Sequence, residues 1–265
     1  MLIPLFHPLI LGLIQGISEW LPISSTAHLK LAGDLLGLTV TPFFNIILHL
    51  GTLSVLFFFF RKEIKGILIA LTHRQFKSEN GMLIPRIVVA TIPTAIIGVS
   101  YDRFLQDSLG TTPIIAITFL IGATFVYSTK FAKETQGCLP YKTALLMGIA
   151  QGFAIFPGLS RSGVTISAAL LLGLKRQKAF KFSFLLSIPA IIGDFGVEAY
   201  GQWNLLSASG INSADIIIGF TVAAVVGYFA LELLARIVQG RKFHYFAFYT
   251  WILGVALLIW TFLLK

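Results

Sequence analysis

At 265 residues, the chain is 56% hydrophobic and only 12% charged, with a mean hydropathy of +0.87, which leaves too little charge to coat a soluble domain of this length. The net charge is +9, from 20 Lys and Arg against 11 Asp and Glu. These basic residues fall in short loops between apolar stretches, which argues against a nucleic-acid surface and fits the positive-inside pattern of membrane proteins. A single cysteine, Cys138, excludes an intrachain disulfide framework.

In chain order, the N-terminus has no basic region and no small-residue cleavage site, so no removed signal peptide is expected. The first element is a segment apolar at both ends with a polar centre, Pro22-Ile-Ser-Ser-Thr26. Spans are predicted at 43–60, 82–100 and 113–129, each near the ~18 apolar residues that a bilayer requires. A second polar-centred segment follows, around Pro157-Gly-Leu-Ser-Arg-Ser162, and then spans at 182–200, 214–235 and 246–264. Arg61, Lys62, Lys65, Arg74, Lys77 and Arg86 predict a cytoplasmic 61–86 loop. Lys130, Lys133 and Lys142, then Lys175, Arg176, Lys178 and Lys181, then Arg236, Arg241 and Lys242, put three further loops on the same side. The 101–112 loop, with Asp102 and Asp107 against Arg103, and the 201–213 stretch, free of Lys and Arg, face out.

The two polar-centred segments are copies of one another. Gly12-Leu-Ile-Gln15-Gly16 overlays Gly148-Ile-Ala-Gln151-Gly152, Ser24 overlays Ser160, and Leu35-Leu36-Gly37-Leu38 overlays Leu171-Leu172-Gly173-Leu174. Proline and the Ser/Thr run end one helix and start another, so each segment is predicted to be a re-entrant pair of short helices rather than a kinked span. Irregular backbone at membrane depth persists where it is buried in protein or lines a cavity. By the loop charges, the first segment enters from outside and the second from inside. The predicted fold is therefore an all-α integral membrane domain, an inverted repeat with halves near 1–136 and 137–265. It has six spanning helices and two re-entrant hairpins, with its site where the broken helices meet.

Gln15, Glu19, Ser24, Ser25, Thr26 and His28 crowd into one short stretch. Gln15 and Glu19, four residues apart, share a helix face directed at the break, and Ser24 or Ser25 is a candidate N-cap. A carboxylate deep in an apolar chain is costly and marks function by default. In the second segment, Ser160-Arg161-Ser162-Gly163-Val164-Thr165 opens a helix expected to start near Ser162, whose free N–H groups form an anion site. Arg161 adds a planar fork of donors suited to phosphate, and it can pair with Glu19 when the site is empty. Together these groups suit phosphoryl transfer. A hydroxyl attacks with His28 as base, or a water attacks directly, and Glu19 is a candidate ligand for a divalent cation, Mg2+ or Ca2+. Thr26 is a further substrate-binding candidate. Embedding in lipid implies a substrate with a lipid tail and an ionic head, and no nucleic acid. A homodimer is allowed but not required. His49 and Asp194 carry no assigned role, and Glu232 is expected to pair with Arg236.

Gln15-Gly-Ile-Ser-Glu19-Trp-Leu-Pro-Ile-Ser-Ser-Thr-Ala-His28 resembles the (Glu/Gln)xxxGlu and Pro-x-Ser-Ser-Thr-x-His signatures of the undecaprenyl-diphosphatases, the bacitracin-resistance family. Pro157-Gly-Leu-Ser-Arg-Ser-Gly-Val-Thr165 is similar to its second signature, Pro-Gly-x-Ser-Arg-Ser-x-x-Thr. The resemblance implies hydrolysis of undecaprenyl diphosphate to the monophosphate in the bacterial inner membrane, with a divalent cation and a site open to the periplasmic or outer face. It implies Glu19, Ser25, His28 and Arg161 as catalytic residues, with Ser25 and His28 both open as nucleophile. Gln15, Ser24, Ser160, Ser162 and Thr165 are implied as supporting residues. Gln15 stands where many members carry a second glutamate, so a cation bound by both positions would meet one charge less. Two rivals remain. A type-2 phosphatidic acid phosphatase matches only at Ser160-Arg161, and a lipid-phosphate transporter is compatible with the inverted repeat.

Overall fold

The computed structural model describes residues 3–37, 41–104, 111–201 and 212–263. The expectations for Asp107 and for most of the 201–213 stretch lie outside these residues. The described residues are helical, with no β-strand beyond an isolated bridge between Gln136 and Leu174. In chain order the helices are α1 (Ile3–Trp20), α2 (Ser25–Leu36), α3 (Pro42–Phe59), α4 (Arg61–Thr72), α5 (Leu83–Phe104), α6 (Thr112–Ser128), α7 (Tyr141–Phe153), α8 (Arg161–Leu171), α9 (Arg176–Gly201), α10 (Ser213–Gln239) and α11 (Phe246–Leu263). Six of these, α3, α5, α6, α9, α10 and α11, lie in segments long and apolar enough to cross a membrane. They coincide with the six predicted spans, and the protein is an all-α, multi-pass membrane protein. Helices α2, α7 and α8 have 12, 13 and 11 residues. At about 1.5 Å per residue none of them covers a hydrocarbon core of about 30 Å.

Helix α4 was not expected. It lies in the predicted 61–86 loop, where Ile64, Ile67 and Leu71 recur at helical spacing among Arg61, Lys62 and Lys65. The hydrophobic period is too short to register as a span, but Ile64 and Ile67 pack against the main core.

Contacts gather the basic loops at one end of the bundle. Lys181 reaches Glu63 at 3.6 Å, Glu134 pairs with both Arg176 and Arg241 at 3.2 Å, and Arg86 Nε donates to the Leu139 carbonyl at 2.6 Å. At this end the amides of Thr135 and Gln136, just before α7, donate to the carbonyl of Gly173, just after α8, at 2.9 and 2.8 Å. Arg241 is thereby held at the far end from the helix breaks. The expected Glu232–Arg236 pair forms on the exposed face of α10.

Helix α1 packs along α10, and α7 packs along α5. Both contacts run over the glycines that the two segments share. A Cβ at Gly12 or Gly16 would lie 3.0 or 2.9 Å from the carbonyl oxygen of Gly219 or Ala223, and a Cβ at Gly148 would lie 2.0 Å from that of Ala90. Small residues four apart let helix backbones touch where lipid supplies no hydrophobic drive. The Thr94 hydroxyl donates to the Gly148 carbonyl at 2.8 Å across the same seam. Gly148→Ala is therefore expected to destabilise the protein by about 1–3 kcal/mol through overpacking against rigid backbone, read as a lower unfolding midpoint in detergent. A midpoint equal to that of the unmodified chain would contradict the close approach.

Trp20, Phe60, Phe180 and Phe184 form an aromatic cluster in the largest core, with Phe180 and Phe184 ring centroids 4.7 Å apart and Trp20 edge-on to Phe184 at 5.6 Å. It fills the interior between the α1–α2 break and the basic end.

Candidate active site

The first break is set by Pro22, which has no N–H to continue α1. Ser24 stands at the N-cap position of α2 with φ 68° and ψ 101°, a left-handed conformation that a serine rarely holds. Its hydroxyl does not cap the helix, as the sequence suggested; it accepts from the Gly158 amide of the other break at 3.3 Å. The second break turns at Gly158, φ 97°, where a Cβ would lie 2.7 Å from the Ile115 carbonyl oxygen. Ser160 caps α8 by accepting from the Gly163 amide at 3.2 Å, and the helix begins at Arg161, one residue before the expected start.

Each break supplies what the other lacks. The last carbonyls of a helix have no intrahelical partner. At the end of α1, Ser162 Oγ donates to the Trp20 carbonyl at 2.7 Å and Ser160 Oγ to the Leu21 carbonyl at 3.3 Å. The two polar centres therefore interlock. Arg161, the first residue of α8, leaves the N-terminus of that helix facing the same point.

Glu19 is the hub. It is 7% exposed, and both of its oxygens are engaged. Oε1 pairs with the Arg161 guanidinium across the two breaks. Oε2 accepts from Ser25 Oγ at 2.6 Å and from Gln15 Nε2 at 3.1 Å, and lies 3.6 Å from His49 Nε2. Gln15 is fully buried, and its amide nitrogen also reaches Thr52 Oγ1 at 3.4 Å.

Glu19, Ser25, His49 and Arg161 line one end of a cavity of about 370 Å³, together with Ser24, Thr26 and Ser160, while Gln15 and Thr52 stand behind Glu19. Its remaining wall is largely apolar, built from Ile46, Leu50 and Leu53 of α3, Val99 of α5 and Ile191 and Val197 of α9. From the break the cavity extends toward the C-terminal ends of α5 and α9, away from the basic loops. A charged head beside an apolar trough is the shape an ionic lipid requires.

Not every sequence candidate reaches the cavity. The His28 ring lies outside it: Nδ1 bonds the Ser24 carbonyl at 2.8 Å, Nε2 bonds Tyr249 Oη at 2.7 Å, and the ring stacks on Tyr249. A carbonyl only accepts, so Nδ1 carries the hydrogen and Nε2 accepts from the tyrosine. Thr165 is fully buried behind Arg161, donating to its carbonyl at 2.8 Å and bonded to Ser183. Ser162 is spent on the Trp20 carbonyl. Conversely, Asn45, His49, Gln151 and Asp194 line the cavity. A histidine and an aspartate within apolar spans were visible signals for two of these, but periodicity alone does not say which way a span turns.

For the expected cation, the donor set offers one carboxylate, Glu19, beside the neutral amide of Gln15. Among the described residues, no three His, Cys, Asp or Glu side chains cluster to hold a metal ion. This does not fit a protein-only cage. It does fit a cation held by one carboxylate and the substrate's own phosphate oxygens, a mode common for Mg2+.

The family model described as bacitracin resistance protein BacA matches residues 8–256. Among curated relatives, an undecaprenyl-diphosphatase of Carboxydothermus hydrogenoformans is 39% identical, the match covering 96% of this chain and 96% of the relative. One of Treponema denticola is 40% identical over 97% of each chain, and one of Korarchaeum cryptofilum is 37% identical over 94% of this chain and 97% of its own. With a family match over residues 8–256 that spans both breaks, the chain belongs to the bacitracin resistance protein BacA family.

Proposed function

We propose that the protein hydrolyses undecaprenyl diphosphate to undecaprenyl phosphate and inorganic phosphate, recycling the lipid carrier of cell-wall synthesis, at the junction of the two helix breaks. The observation that carries this reading is the set Glu19, Ser25 and Arg161, assembled at the polar end of a largely apolar cavity. The relatives' name supplies the substrate.

The diphosphate enters with its terminal phosphate against Arg161 and the first amides of α8. The guanidinium leaves Glu19 and binds two phosphate oxygens as a fork. Ser25 Oγ, already donating to Glu19, passes its proton to that carboxylate and attacks the terminal phosphorus. The bond from phosphorus to the bridging oxygen breaks, and the lipid monophosphate departs. Water then attacks the phosphoserine, inorganic phosphate leaves, and Ser25 regains its proton. Ser24 and Thr26 contribute hydroxyls beside the phosphates, and Gln15 steadies Glu19. His28, tied to Tyr249, acts in this scheme from behind the break by fixing the Ser24 carbonyl. A divalent cation, Mg2+ or Ca2+, belongs to the scheme as a companion of the substrate held at Glu19, and when bound it supplies neutralisation of phosphate charge.

The fold completes the proposal as an inverted repeat of residues 1–136 and 137–265. Each half contributes a re-entrant pair, α1–α2 or α7–α8, followed by three spans, and the domain sits in the bacterial inner membrane. Three features support this reading: α1 lies on α10 as α7 lies on α5, the two contacts use equivalent glycines, and both ends of the α7–α8 pair bond at the basic end. With the basic loops inside, the cavity opens toward the periplasmic or outer face.

Purified protein in detergent is expected to release phosphate from a polyprenyl diphosphate. Translocation of a lipid phosphate without release would replace hydrolysis with transport. For orientation, cysteines introduced at 38–42 are expected to label from outside and those at 175–181 from inside, and the reverse pattern would invert the topology.

A further inference from the structure

A strained residue stands one place before the attacking hydroxyl of the hydrolysis scheme. Ser24 holds φ 68° and ψ 101°, and the next residue, Ser25, begins α2 and donates to Glu19 at 2.6 Å. A serine keeps such a backbone only where its surroundings over-determine it. The Ser24 hydroxyl gives α2 no cap and accepts from the Gly158 amide at 3.3 Å, a long bond. The Ser24 carbonyl accepts from the His28 amide, also at 3.3 Å. The shortest tie on Ser24 comes from a side chain: His28 Nδ1 donates to the same carbonyl at 2.8 Å.

That tie depends on the state of the imidazole. A neutral ring has one N–H, and the nitrogen that carries it is set by the partner of the other nitrogen. In the neutral ring Nδ1 donates only if Nε2 is bare, and a bare Nε2 is satisfied by a donor. Tyr249 Oη, on α11, supplies that donor at 2.7 Å. The same tyrosine stacks on the imidazole with centroids 5.8 Å apart, and Phe119 of α6 meets the ring edge-on at 5.9 Å. The aromatic neighbours hold the ring in place, and the hydroxyl selects its tautomer. Without the hydroxyl, a hydrogen on Nε2 would leave the Nδ1 lone pair facing the Ser24 carbonyl, and two acceptors repel. Neither His28 nor Tyr249 lines the cavity, so their influence on the phosphates passes through Ser24.

We propose that Tyr249 is a positioning residue: through His28 it holds the Ser24 backbone in the conformation that aims Ser25 at Glu19. This rests on the hydrolysis reading and extends it across the break to α11. The effect falls on rate rather than on binding, because the chain of contacts from Tyr249 ends at the attacking hydroxyl and leaves Arg161 untouched.

The test measures phosphate release from a polyprenyl diphosphate in detergent, per folded protein. Tyr249→Phe keeps the ring and its stacking and removes only the donor. It is expected to lower kcat at least about threefold, the order of one neutral hydrogen bond, with KM changed less than about twofold. A smaller loss of kcat, or a loss carried by KM, overturns the proposal. His28→Asn and His28→Leu give the second comparison. An asparagine amide reaches about as far as Nδ1 and donates to the Ser24 carbonyl, whereas leucine has no donor. His28→Asn is expected to release phosphate at least about threefold faster than His28→Leu. A smaller ratio places His28 in the chemistry itself and overturns the proposal, and this pair decides the matter should Tyr249→Phe not fold. Absence of release by the unmodified chain sinks the hydrolysis reading itself and is distinguishable from either outcome.

Discussion

Arg161→Ala is expected to reduce phosphate release at least about 10³-fold, the scale at which an arginine stabilises the charge of a transferring phosphoryl group. The side chain has two tasks. With the site empty, it neutralises Glu19 across the two breaks; with substrate present, it binds the diphosphate. Removal therefore strips the substrate of its fork and leaves Glu19 buried beside neutral donors, which costs stability as well as rate, on the order of 3–5 kcal/mol for a broken buried pair. Arg161→Lys separates the two effects. A lysine keeps the charge near Glu19, so the fold is retained, but it loses the planar two-point grip on phosphate. The expected result is a Lys variant that melts close to the unmodified protein in detergent and still releases phosphate at least about 10²-fold more slowly. Full activity in either variant would remove Arg161 from the site.

Ser25→Ala is expected to abolish release to a similar extent, and it discriminates between mechanisms. Ser25 Oγ is the hydroxyl that donates to Glu19, at 2.6 Å. Ser24 Oγ is instead committed to the Gly158 amide. If Ser25 attacks phosphorus, the alanine variant has no nucleophile, and a rapid acid quench of the unmodified enzyme traps phosphate on Ser25, detectable by mass spectrometry of the peptide. If a water oriented by Glu19 attacks directly, the alanine variant retains substantial release and no phosphoserine is trapped. A phosphorylated His28 would require the ring to leave Tyr249 and the Ser24 carbonyl, two hydrogen bonds that hold it outside the cavity. Because alanine in place of Ser25 removes one hydrogen bond to Glu19 but leaves Arg161 in place, its expected effect on stability is only about 1–3 kcal/mol, so loss of activity is not explained by unfolding.

Much of this architecture is legible without coordinates, for local reasons. A span declares itself by the run of apolar residues that a bilayer demands, and each predicted span appears as a helix within a few residues. Pro22 and Pro157, each in a polar run, stand at helix breaks, whereas Pro8, Pro93 and Pro189 lie inside continuous helices. Gln15 and Glu19 share a face because they are four residues apart. Helix α4 went unread because its apolar stripe is only two turns long and lies among lysines and arginines.

The remainder depends on distances between residues far apart in the chain. The sequence by itself determined a membrane protein with six apolar spans, two broken segments and one carboxylate and one arginine at the breaks, since composition, period and proline act within a few residues. Only the tertiary structure decided that Ser160 and Ser162 complete the carbonyl end of α1, that Ser24 bonds across the breaks instead of capping its own helix, and that His49 faces Glu19 while His28 turns to Tyr249. The physical reason is that a side chain bonds whichever partner the packing of other helices brings within about 3 Å. His49 is brought to Glu19 by the packing of α3 against α1, α9 and α10.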